Sequence, residues 1–483
     1  MPAKTGKQYL DRINQAGADI MMNGKKLKGK VSEHPAFQNV MQSQARLYDL
    51  QHETALQDTL TYLSPSSGER VGLSYMVPKT KEDLIKRRKM FKEWALQSHG
   101  MLGRSPDYMN TVLMAFGSAS EVFGQYAENV KNFYEYCREN DVSLTHTFIQ
   151  PQVNRSEIYF ESDKEPIAAR IVDKTKEGII IQGARLLATQ GATTDEILVF
   201  PSGMKLWNFN GENPYAYAFA IPNNTKGLSF ICRESLYDGQ SSFDRPLSSR
   251  FEEVDTLVVF DHVTIPWERI FVAGDANVAN NIFPGSYFTE HTVHQVMTRQ
   301  IVKTEFILGL IDRLIEMINI GEYDHVQEKL TEVVIALETM KAFQLAAEQN
   351  ATANQWGVMI PDKKPILASM NYFPRIYPRL VEILQTLGAS GLVMLPTEAD
   401  FQSDVKKHLD KYLKAANANA EDRVKLFRLA WDTCMSGFAT RETQYERYFF
   451  GDPVRLSGRI YREYDRKEYT NRIDDFIKLN KKV

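Results

Sequence analysis

Cysteine is scarce in this sequence, with only three among 483 residues. Cys137, Cys232 and Cys434 lie far apart and form no Cys-x-x-Cys pair. An odd number of isolated cysteines argues against a disulfide framework and against a structural zinc site. We therefore interpret all three as reduced residues of the hydrophobic core.

Charge of one sign is not in excess, and long apolar runs are missing. The 58 Lys and Arg residues nearly balance 61 Asp and Glu residues, so the formal net charge is −3 and no basic footprint for nucleic acid is present. The most apolar long segment, 306–320, is interrupted by charged residues, so no membrane span is predicted. The N-terminal residues MPAKTGKQYLDRI lack the apolar stretch of a signal peptide, and we expect a cytoplasmic protein.

Nucleotide-binding and metal-binding motifs are missing as well. No Gly-x-Gly-x-x-Gly opens a helix after a strand, and no Gly-x-x-x-x-Gly-Lys-Ser/Thr occurs, so we expect no dinucleotide-binding unit in this chain. If the protein performs redox chemistry, its reducing equivalents come from elsewhere. His291 and His294 share a helical face, but two ligands without a third make a weak metal site. We interpret them as a solvated or capping pair and expect no metal.

The spacing of apolar residues changes twice along the chain. Apolar residues recur at three- and four-residue steps between 111 and 137, which predicts a helix with one buried stripe. Short runs rich in β-branched and aromatic residues then predict a compact antiparallel β domain. These runs cover residues 178–189, 196–200, 216–221, 228–232 and 256–260. Long helical patterns that predict a bundle follow, at 295–320, 326–349, 379–387 and 423–448.

The sequence therefore predicts an α+β protein with three regions in order. We expect a helical N-terminal domain over 1–145, a β domain over 146–275 and a C-terminal helical bundle over 276–483. Two segments near the first boundary carry side chains suited to chemistry, and domain junctions are favoured places for ligand pockets.

The first segment starts at Gly103 and contains a predicted helix start. Ser105 is a good N-cap and Pro106 a good first helical residue. Arg104 then lies just outside the helix and Tyr108 in its first turn, beside a positive helix end that favours an anionic oxygen. A solvated arginine beside a half-buried tyrosine is the alternative interpretation, and spacing alone leaves it open.

The second segment, 145–155, reads THTFIQPQVNR. It concentrates hydroxyls, amides, an imidazole and a guanidinium, which can bind the edge of a flavin ring or a phosphate. His146 can act as a general base or a hydrogen-bond donor near neutral pH. A single histidine is also compatible with a purely structural role, so both interpretations remain open at this point.

These segments, together with others along the chain, resemble a known family. The resemblance is to the oxygenase component of the two-component 4-hydroxyphenylacetate 3-monooxygenases, which are flavin-dependent phenol hydroxylases. It runs through almost the whole chain in the family's order. The matching segments are GRSPDYMN (103–110), THTFIQPQVNRS (145–156), ARLLATQG (184–191), VFDHVTIPWERIFV (259–272), EILQTLGASGLVMLP (382–396) and ERYFFGDPVRLSG (446–458).

The resemblance implies a fold and an assembly. The family has an acyl-CoA dehydrogenase-like fold, with a helical N-terminal domain, a middle antiparallel β-barrel and a C-terminal four-helix bundle. Its members are usually homotetramers. The order of the three regions agrees with the one that the apolar spacing predicts.

The resemblance also implies roles for individual residues. Arg104, Tyr108 and His146 match the catalytic positions that hold the substrate's phenolic oxygen. Ser202 matches a turn that faces the substrate's acid group. The positions that match flavin contacts are His146, Thr147, Phe148, Gln152, Val153, Asn154, Arg155, Thr189, Gly451 and Asp452.

The implied reaction is the ortho-hydroxylation of a phenol by reduced FAD and O2, most simply of 4-hydroxyphenylacetate to 3,4-dihydroxyphenylacetate. A separate NAD(P)H:flavin reductase supplies the reduced FAD, and no metal takes part. Hydrogen bonds from Arg104 and His146, both of which can be cationic, are expected to lower the pKa of the phenol.

Three alternatives remain. The substrate is another phenol, such as 4-coumarate or a halophenol; or the chain is an iron–sulfur-free relative of 4-hydroxybutyryl-CoA dehydratase; or it is a flavin-binding scaffold without the reaction. The dehydratase cluster needs a His-x6-Cys, whereas the residue seven after His291 is Thr298, so a four-ligand cluster site is missing.

Overall fold

The computed structural model describes residues 2–151, 167–201, 205–208, 211–237 and 239–478. Its N-terminal region is mainly helical. The elements are α1 (Gly6–Ala16), β1 (Asp19–Met22), β2 (Lys25–Lys26), α2 (Gln38–Leu50), α3 (Gln57–Leu60), β3 (Thr61–Leu63), β4 (Arg70–Gly72), α4 (Lys81–Gln97), α5 (Pro106–Ser118) and α6 (Ala127–Asn140).

The single helical stripe predicted over 111–137 is wrong in its continuity. Helix α5 ends at Ser118, a 3-10 segment covers Ser120–Tyr126, and α6 begins at Ala127. Gly124 interrupts the helical geometry with a φ of 57°, a conformation that glycine adopts without steric cost. The apolar spacing continues across the break because apolar residues of both helices pack into the same core.

The middle region is the predicted β domain. Its elements are β5 (Leu144–Thr147), β6 (Arg170–Lys174), β7 (Gly178–Thr189), β8 (Glu196–Val199), β9 (Tyr217–Pro222), β10 (Leu228–Cys232), α7 (Ser248–Phe251), β11 (Asp255–Pro266) and β12 (Ile270–Ala273). The described strands form a six-stranded sheet, β2-β1-β10-β11-β7-β6, and a four-stranded sheet, β12-β9-β8-β5. Ile181 and Phe260 of the first sheet share one buried core with Val199 and Phe219 of the second, so the two sheets pack face to face.

Most strand pairs are antiparallel, as predicted, and two are not. β1 pairs with β10 in parallel, which brings a strand of the N-terminal region into the larger sheet. β5 pairs with β8 in parallel, with His146 opposite Leu198. This second pair matters for the site, since it places the start of the 145–155 segment on the edge strand of the smaller sheet, where its residues are buried.

The C-terminal region is a bundle of long helices. Its elements are α8 (Ala276–Gly285), α9 (Phe288–Ile318), α10 (Asp324–Gln349), β13 (Thr352–Ala353), β14 (Met359–Ile360), α11 (Lys363–Gly388), α12 (Glu398–Phe401), α13 (Lys406–Tyr412), α14 (Ala420–Cys434), α15 (Gly437–Tyr448), α16 (Pro453–Glu463) and α17 (Lys467–Phe476). Helices α9, α10, α11 and α14 contribute to one large apolar core. None of the described helices is both long and apolar enough to cross a membrane.

Two helix predictions in this region are wrong in extent. The segment 379–387 is only the end of α11, which continues through Pro374 and Pro378; the prolines, which usually interrupt a helix, concealed its length. The segment 423–448 is two helices, because Ser436 caps the N-terminus of α15 through a bond from Ala439 N to its hydroxyl.

The interpretation of the cysteines is confirmed and that of the histidine pair is wrong. All three cysteines are free and buried. His291 and His294 are also buried in α9, where His294 Nε2 lies 2.8 Å from a carboxylate oxygen of Glu348. They are therefore core residues of the bundle and not a solvated pair.

Candidate active site

The loop before α5 is held by hydrogen bonds to a buried carboxylate. The backbone N–H groups of Gly103 and Arg104 donate to the two oxygens of Glu253, at 2.9 and 2.7 Å. Glu253 lies just before β11, so the β domain fixes the loop that carries Arg104. Burial raises the pKa of Glu253, while Arg441 and these two amides oppose the rise.

Helix α5 begins at Pro106, as the sequence predicts, but Ser105 does not cap it with its side chain. The Ser105 hydroxyl instead donates to Asp107 Oδ1 at 2.5 Å, and Gln295 on α9 donates to Asp107 Oδ2 at 2.9 Å. The buried Asp107 thereby ties the first turn of α5 to the bundle. Tyr108 follows Asp107 in this turn, so the two hydrogen bonds of Asp107 also fix the position of Tyr108.

The guanidinium of Arg104 lies among aromatic rings. Its central carbon is 5.1 Å from the ring centroid of Tyr108, 5.4 Å from that of Tyr445 and 4.8 Å from that of Phe449. Nη1 donates to the Tyr445 hydroxyl at 3.2 Å. Among the described residues, no carboxylate forms an ion pair with this guanidinium, so its charge and its remaining N–H donors are available to an anionic oxygen. The alternative of a half-buried Tyr108 is wrong, because this residue is 4% exposed.

His146 lies next to Tyr108, with their ring centroids 5.5 Å apart. Burial, with a further contribution from the Arg104 charge, lowers the pKa of His146 well below its usual value. The imidazole is therefore neutral near pH 7. A neutral imidazole still offers one N–H donor and one acceptor nitrogen.

A wall of phenylalanines borders these polar groups. The ring of Phe148 stacks on that of Phe200 at 4.5 Å, and Phe283 lies 5.6 Å from Phe148. Phe288 at the start of α9 contacts the same cluster. The parallel β5–β8 pair creates this arrangement, since Phe200 N donates to Thr147 O directly beyond the strands. Such a wall suits a flat ring and excludes water.

Several buried polar atoms beside this wall have no partner among the described residues. They are Nδ1 of His146, Oγ1 of Thr147 and both polar atoms of the Gln150 amide. Buried polar groups are normally satisfied, so these atoms are ready for a ligand that carries both donors and acceptors. The edge of a flavin ring has both, and the residues present fit that group. Gln150 was missed as a site residue, although it lies inside the 145–155 segment that drew attention.

The other predicted cofactor residues have varied surroundings. Thr189 is buried at the end of β7, and its hydroxyl donates to Asp255 Oδ1 at 2.6 Å. Gly451 and Asp452 are exposed, and the Asp452 carboxylate caps α16. Phe449, slightly earlier in the chain, is the residue of this segment that contacts Arg104. The predictions for Gln152, Val153, Asn154, Arg155 and Ser202 concern residues that lie outside the described ranges.

A buried ionic cluster next to the site was not predicted. Arg441 on α15 pairs with Asp255 at 2.9 Å and with Glu253 at 3.3 Å. The two arginines Arg441 and Arg233 hold the pKa of Asp255 far below its usual range. No local pattern announces this cluster, because its members are brought together from distant parts of the chain. The described residues contain no group of three or more His, Cys, Asp and Glu side chains arranged to hold a metal ion.

Comparison with known families and proteins gives a consistent result. Residues 5–272 match the family described as 4-hydroxyphenylacetate 3-hydroxylase N terminal, and residues 279–478 match its C-terminal counterpart. The chain is 49% identical, over 98% of both lengths, to a probable 4-hydroxyphenylacetate 3-monooxygenase of Bacillus subtilis. It is 48% identical to the 4-hydroxyphenylacetate 3-monooxygenase oxygenase component of Geobacillus sp., over 100% of this chain and 98% of that protein.

Solved structures agree with this result. A crystal structure of the oxygenase component of 4-hydroxyphenylacetate 3-monooxygenase, complexed with FAD and 4-hydroxyphenylacetate, superposes with a TM-score of 0.94. It is 43% identical and covers 99% of this chain and 98% of that one. A 4-hydroxybutyryl-CoA dehydratase at 19% identity and a TM-score of 0.88 shows the shared fold alone. The predicted fold class, α+β with the acyl-CoA dehydrogenase-like order of regions, is confirmed.

Proposed function

The chain belongs to the 4-hydroxyphenylacetate 3-hydroxylase family, and from this premise we propose its reaction. The protein is the oxygenase component of a two-component 4-hydroxyphenylacetate 3-monooxygenase, which uses reduced FAD and O2 to form 3,4-dihydroxyphenylacetate. One observation carries the proposal beyond the family resemblance. The Arg104 guanidinium, which has no acidic partner among the described residues, lies against the Tyr108 and Phe449 rings, where a phenolic oxygen is stabilised as it gains negative charge.

Three side chains act on that oxygen in the proposed site. Arg104 supplies a permanent positive charge and several N–H donors. Tyr108 supplies a hydroxyl that has no hydrogen-bond partner among the described residues, and burial raises its pKa, so the hydroxyl keeps its proton. His146 supplies one N–H from a neutral ring. Together they lower the pKa of the bound phenol and so enrich its aromatic ring in electrons.

The flavin site is proposed beside the phenylalanine wall. When bound, reduced FAD supplies the electrons that activate O2 for transfer to the ring. The unpartnered atoms of His146, Thr147 and Gln150 hold its polar edge, and Phe148 shields one side from water. The remaining flavin contacts that we propose are Gln152, Val153, Asn154, Arg155, Thr189, Gly451 and Asp452, with Ser202 on the substrate's acid group.

Reduced FAD reaches this chain from a separate NAD(P)H:flavin reductase in our proposal. We also propose a homotetramer, which is supported by apolar side chains exposed on the last two helices. Val454 and Tyr461 on α16 are 78% and 69% exposed, and Ile473 and Phe476 on α17 are 59% and 85% exposed. An exposed apolar surface of this kind is typical of a protein interface. A cytoplasmic location agrees with the three free thiols, and the domain division at 145 and 275 remains part of the proposal.

The test is oxygen consumption with externally reduced FAD, with and without 4-hydroxyphenylacetate, and identification of the product. We expect 3,4-dihydroxyphenylacetate in an amount close to the oxygen consumed. 4-Coumarate and a halophenol are run in parallel, and faster coupled turnover of either replaces the proposed substrate. Oxygen consumption that yields only hydrogen peroxide with all of these phenols contradicts the proposed function.

A further inference from the structure

Tyr445 on α15 connects the helical bundle to the loop that carries Arg104. Its hydroxyl donates to the backbone carbonyl of Gly103 at 3.0 Å. A tyrosine hydroxyl has a single proton, so the same oxygen accepts the hydrogen bond from Arg104 Nη1 at 3.2 Å. Burial raises the pKa of Tyr445, which keeps the hydroxyl protonated and preserves this pattern of donor and acceptor.

The ring of Tyr445 also has several contacts that fix its position. The guanidinium carbons of Arg104 and Arg299 each lie 5.4 Å from the ring centroid, and that of Arg441 lies 5.0 Å from it. Each contact is attractive because the ring face carries partial negative charge. On the loop side, a Cβ atom added to Gly103 would lie only 2.5 Å from the Tyr445 hydroxyl oxygen. The tyrosine therefore fits at this distance only because residue 103 is glycine.

Ion pairs hold helix α15 on both sides of Tyr445. Arg441, one turn before it, binds Asp255 of the β domain at 2.9 Å. Glu446, directly after it, binds Arg299 and Lys303 of α9, each at 2.6 Å. Separating either pair would leave charges in a poorly hydrated site without their partners, which is unfavourable, so the pairs favour one position of the helix. Its position along the axis sets where the Tyr445 hydroxyl meets Arg104.

We propose that Tyr445 is a positioning residue for Arg104, which orients the guanidinium toward the phenolic oxygen of the substrate. The C-terminal bundle thereby completes a substrate site whose other members come from α5 and β5. This inference rests on the proposed function for the identity of the oxygen, but the geometry on which it depends lies entirely in the described residues. It also explains what fixes the orientation of the Arg104 guanidinium, since no carboxylate among the described residues pairs with it.

The test uses the ionisation of a bound phenol in the protein without flavin. 4-Nitrophenol is a suitable probe, because its phenolate absorbs at a longer wavelength than its neutral form. We expect the parent protein to lower the pKa of bound 4-nitrophenol and Arg104→Ala to abolish this effect. Tyr445→Phe removes one hydroxyl and keeps the ring, and we expect it to raise the probe's pKa by about half a unit to one unit, as the loss of one hydrogen bond predicts.

A second measurement uses turnover with reduced FAD. In Tyr445→Phe we expect the yield of hydroxylated product per O2 consumed to fall about threefold to tenfold, while FAD affinity stays unchanged. Gly103→Ala disturbs the same contact from the loop side and should change both readouts in the same direction. This second variant keeps the proposal testable if Tyr445→Phe fails to fold.

Tyr377→Phe is the matched control. Tyr377 is fully buried in α11, and its hydroxyl has no partner among the described residues, so its loss should change neither the probe's pKa nor the coupling. Wild-type values of both in Tyr445→Phe overturn the positioning role. A parent protein that leaves the pKa of 4-nitrophenol unchanged also overturns it, because Tyr445 then has no electrostatic effect to direct.

The two proposals fail in distinguishable ways. If the parent protein hydroxylates none of the phenols but Tyr445→Phe still raises the pKa of the bound probe, the proposed function is wrong and the positioning role stands. If the parent protein hydroxylates 4-hydroxyphenylacetate and the variant matches it in both readouts, only the positioning role is wrong.

Discussion

Basic side chains contact α15 in two ways, and they differ in their partners. Arg299 and Lys303 on α9 are buried against Glu442 and Glu446, with N–O distances of 2.6 to 2.8 Å. Arg104 instead lies against aromatic rings and forms no ion pair with a described carboxylate. A guanidinium with complete acidic partners stabilises the fold, whereas one without them is available to bind an anion. The surroundings, and not the residue type, separate structure from function here.

The largest effect on stability is expected when the buried ion pairs of Glu446 are removed. Glu446→Ala leaves Arg299 and Lys303 buried with too little negative charge, and loss of one partner of a buried ion pair typically costs about 3–5 kcal/mol. We expect a decrease of this size in the free energy of unfolding, measured by urea denaturation. Glu316→Ala is the control, because its pair with Arg313 is exposed and should contribute little. Equal stability of the two variants would show that the buried group does not hold the bundle together.

Low pH should weaken the ion pairs of Glu446 in the parent protein. Arg299 and Lys303 oppose the effect of burial and lower the pKa of Glu446 to about 2, below its unfolded value of about 4.3. Since the folded pKa is depressed, its stabilisation is fully present above the unfolded value and is lost as pH falls toward about 2. The Glu446→Gln variant should therefore show a smaller loss of stability between about pH 5 and 2.

Removing the unpaired cation should affect turnover far more than stability. Loss of one donor that stabilises a developing oxyanion typically costs about 10²–10³ in rate, and we expect that decrease in hydroxylation for Arg104→Ala. The melting temperature should fall less than in Glu446→Ala, because the variant loses cation–π contacts and one hydrogen bond but no described ion pair. Product formation and O2 consumption are measured together with thermal unfolding. A variant that hydroxylates saturating 4-hydroxyphenylacetate at the parent rate contradicts the site.

His146 should affect both stability and activity, since it is buried and also part of the site. Its folded pKa is lowered by burial and by Arg104, so below about pH 6.5 the unfolded chain binds a proton that the folded chain does not. Stability then falls with decreasing pH, by up to about 1.4 kcal/mol per unit for this group. We expect His146→Asn to reduce that slope between about pH 6.5 and 5, measured by denaturation at each pH. An unchanged slope would mean that His146 is charged in the folded protein.

Part of this picture is visible in the sequence, and the rest depends on tertiary contacts. Strand β7 has the bounds predicted from its β-branched residues, Gly178–Thr189, and α5 starts at the predicted Pro106, because both follow local rules. Helix α11 was underestimated because Pro374 and Pro378 usually end helices. The bond of Glu253 to the Arg104 loop joins residues 149 positions apart, so no local pattern could reveal it. The neutral state of His146 depends on burial, which spacing alone does not give.

The smallest effects are expected for two tyrosine hydroxyls, one without and one with a hydrogen-bond partner. The Tyr108 hydroxyl has no partner among the described residues, whereas the Tyr134 hydroxyl donates to the Tyr75 carbonyl at 2.7 Å. Tyr108→Phe keeps the ring beside Arg104 and removes one donor, so we expect hydroxylation to fall about threefold to tenfold, as for a single neutral hydrogen bond, with stability unchanged. Tyr134→Phe should behave in the opposite way, with a stability loss of about 1 kcal/mol and normal turnover. Thermal unfolding and product yield per O2 consumed, measured on both variants, check this contrast. If both variants lose stability, or both lose hydroxylation, then the presence or absence of a hydrogen-bond partner does not determine what each hydroxyl does.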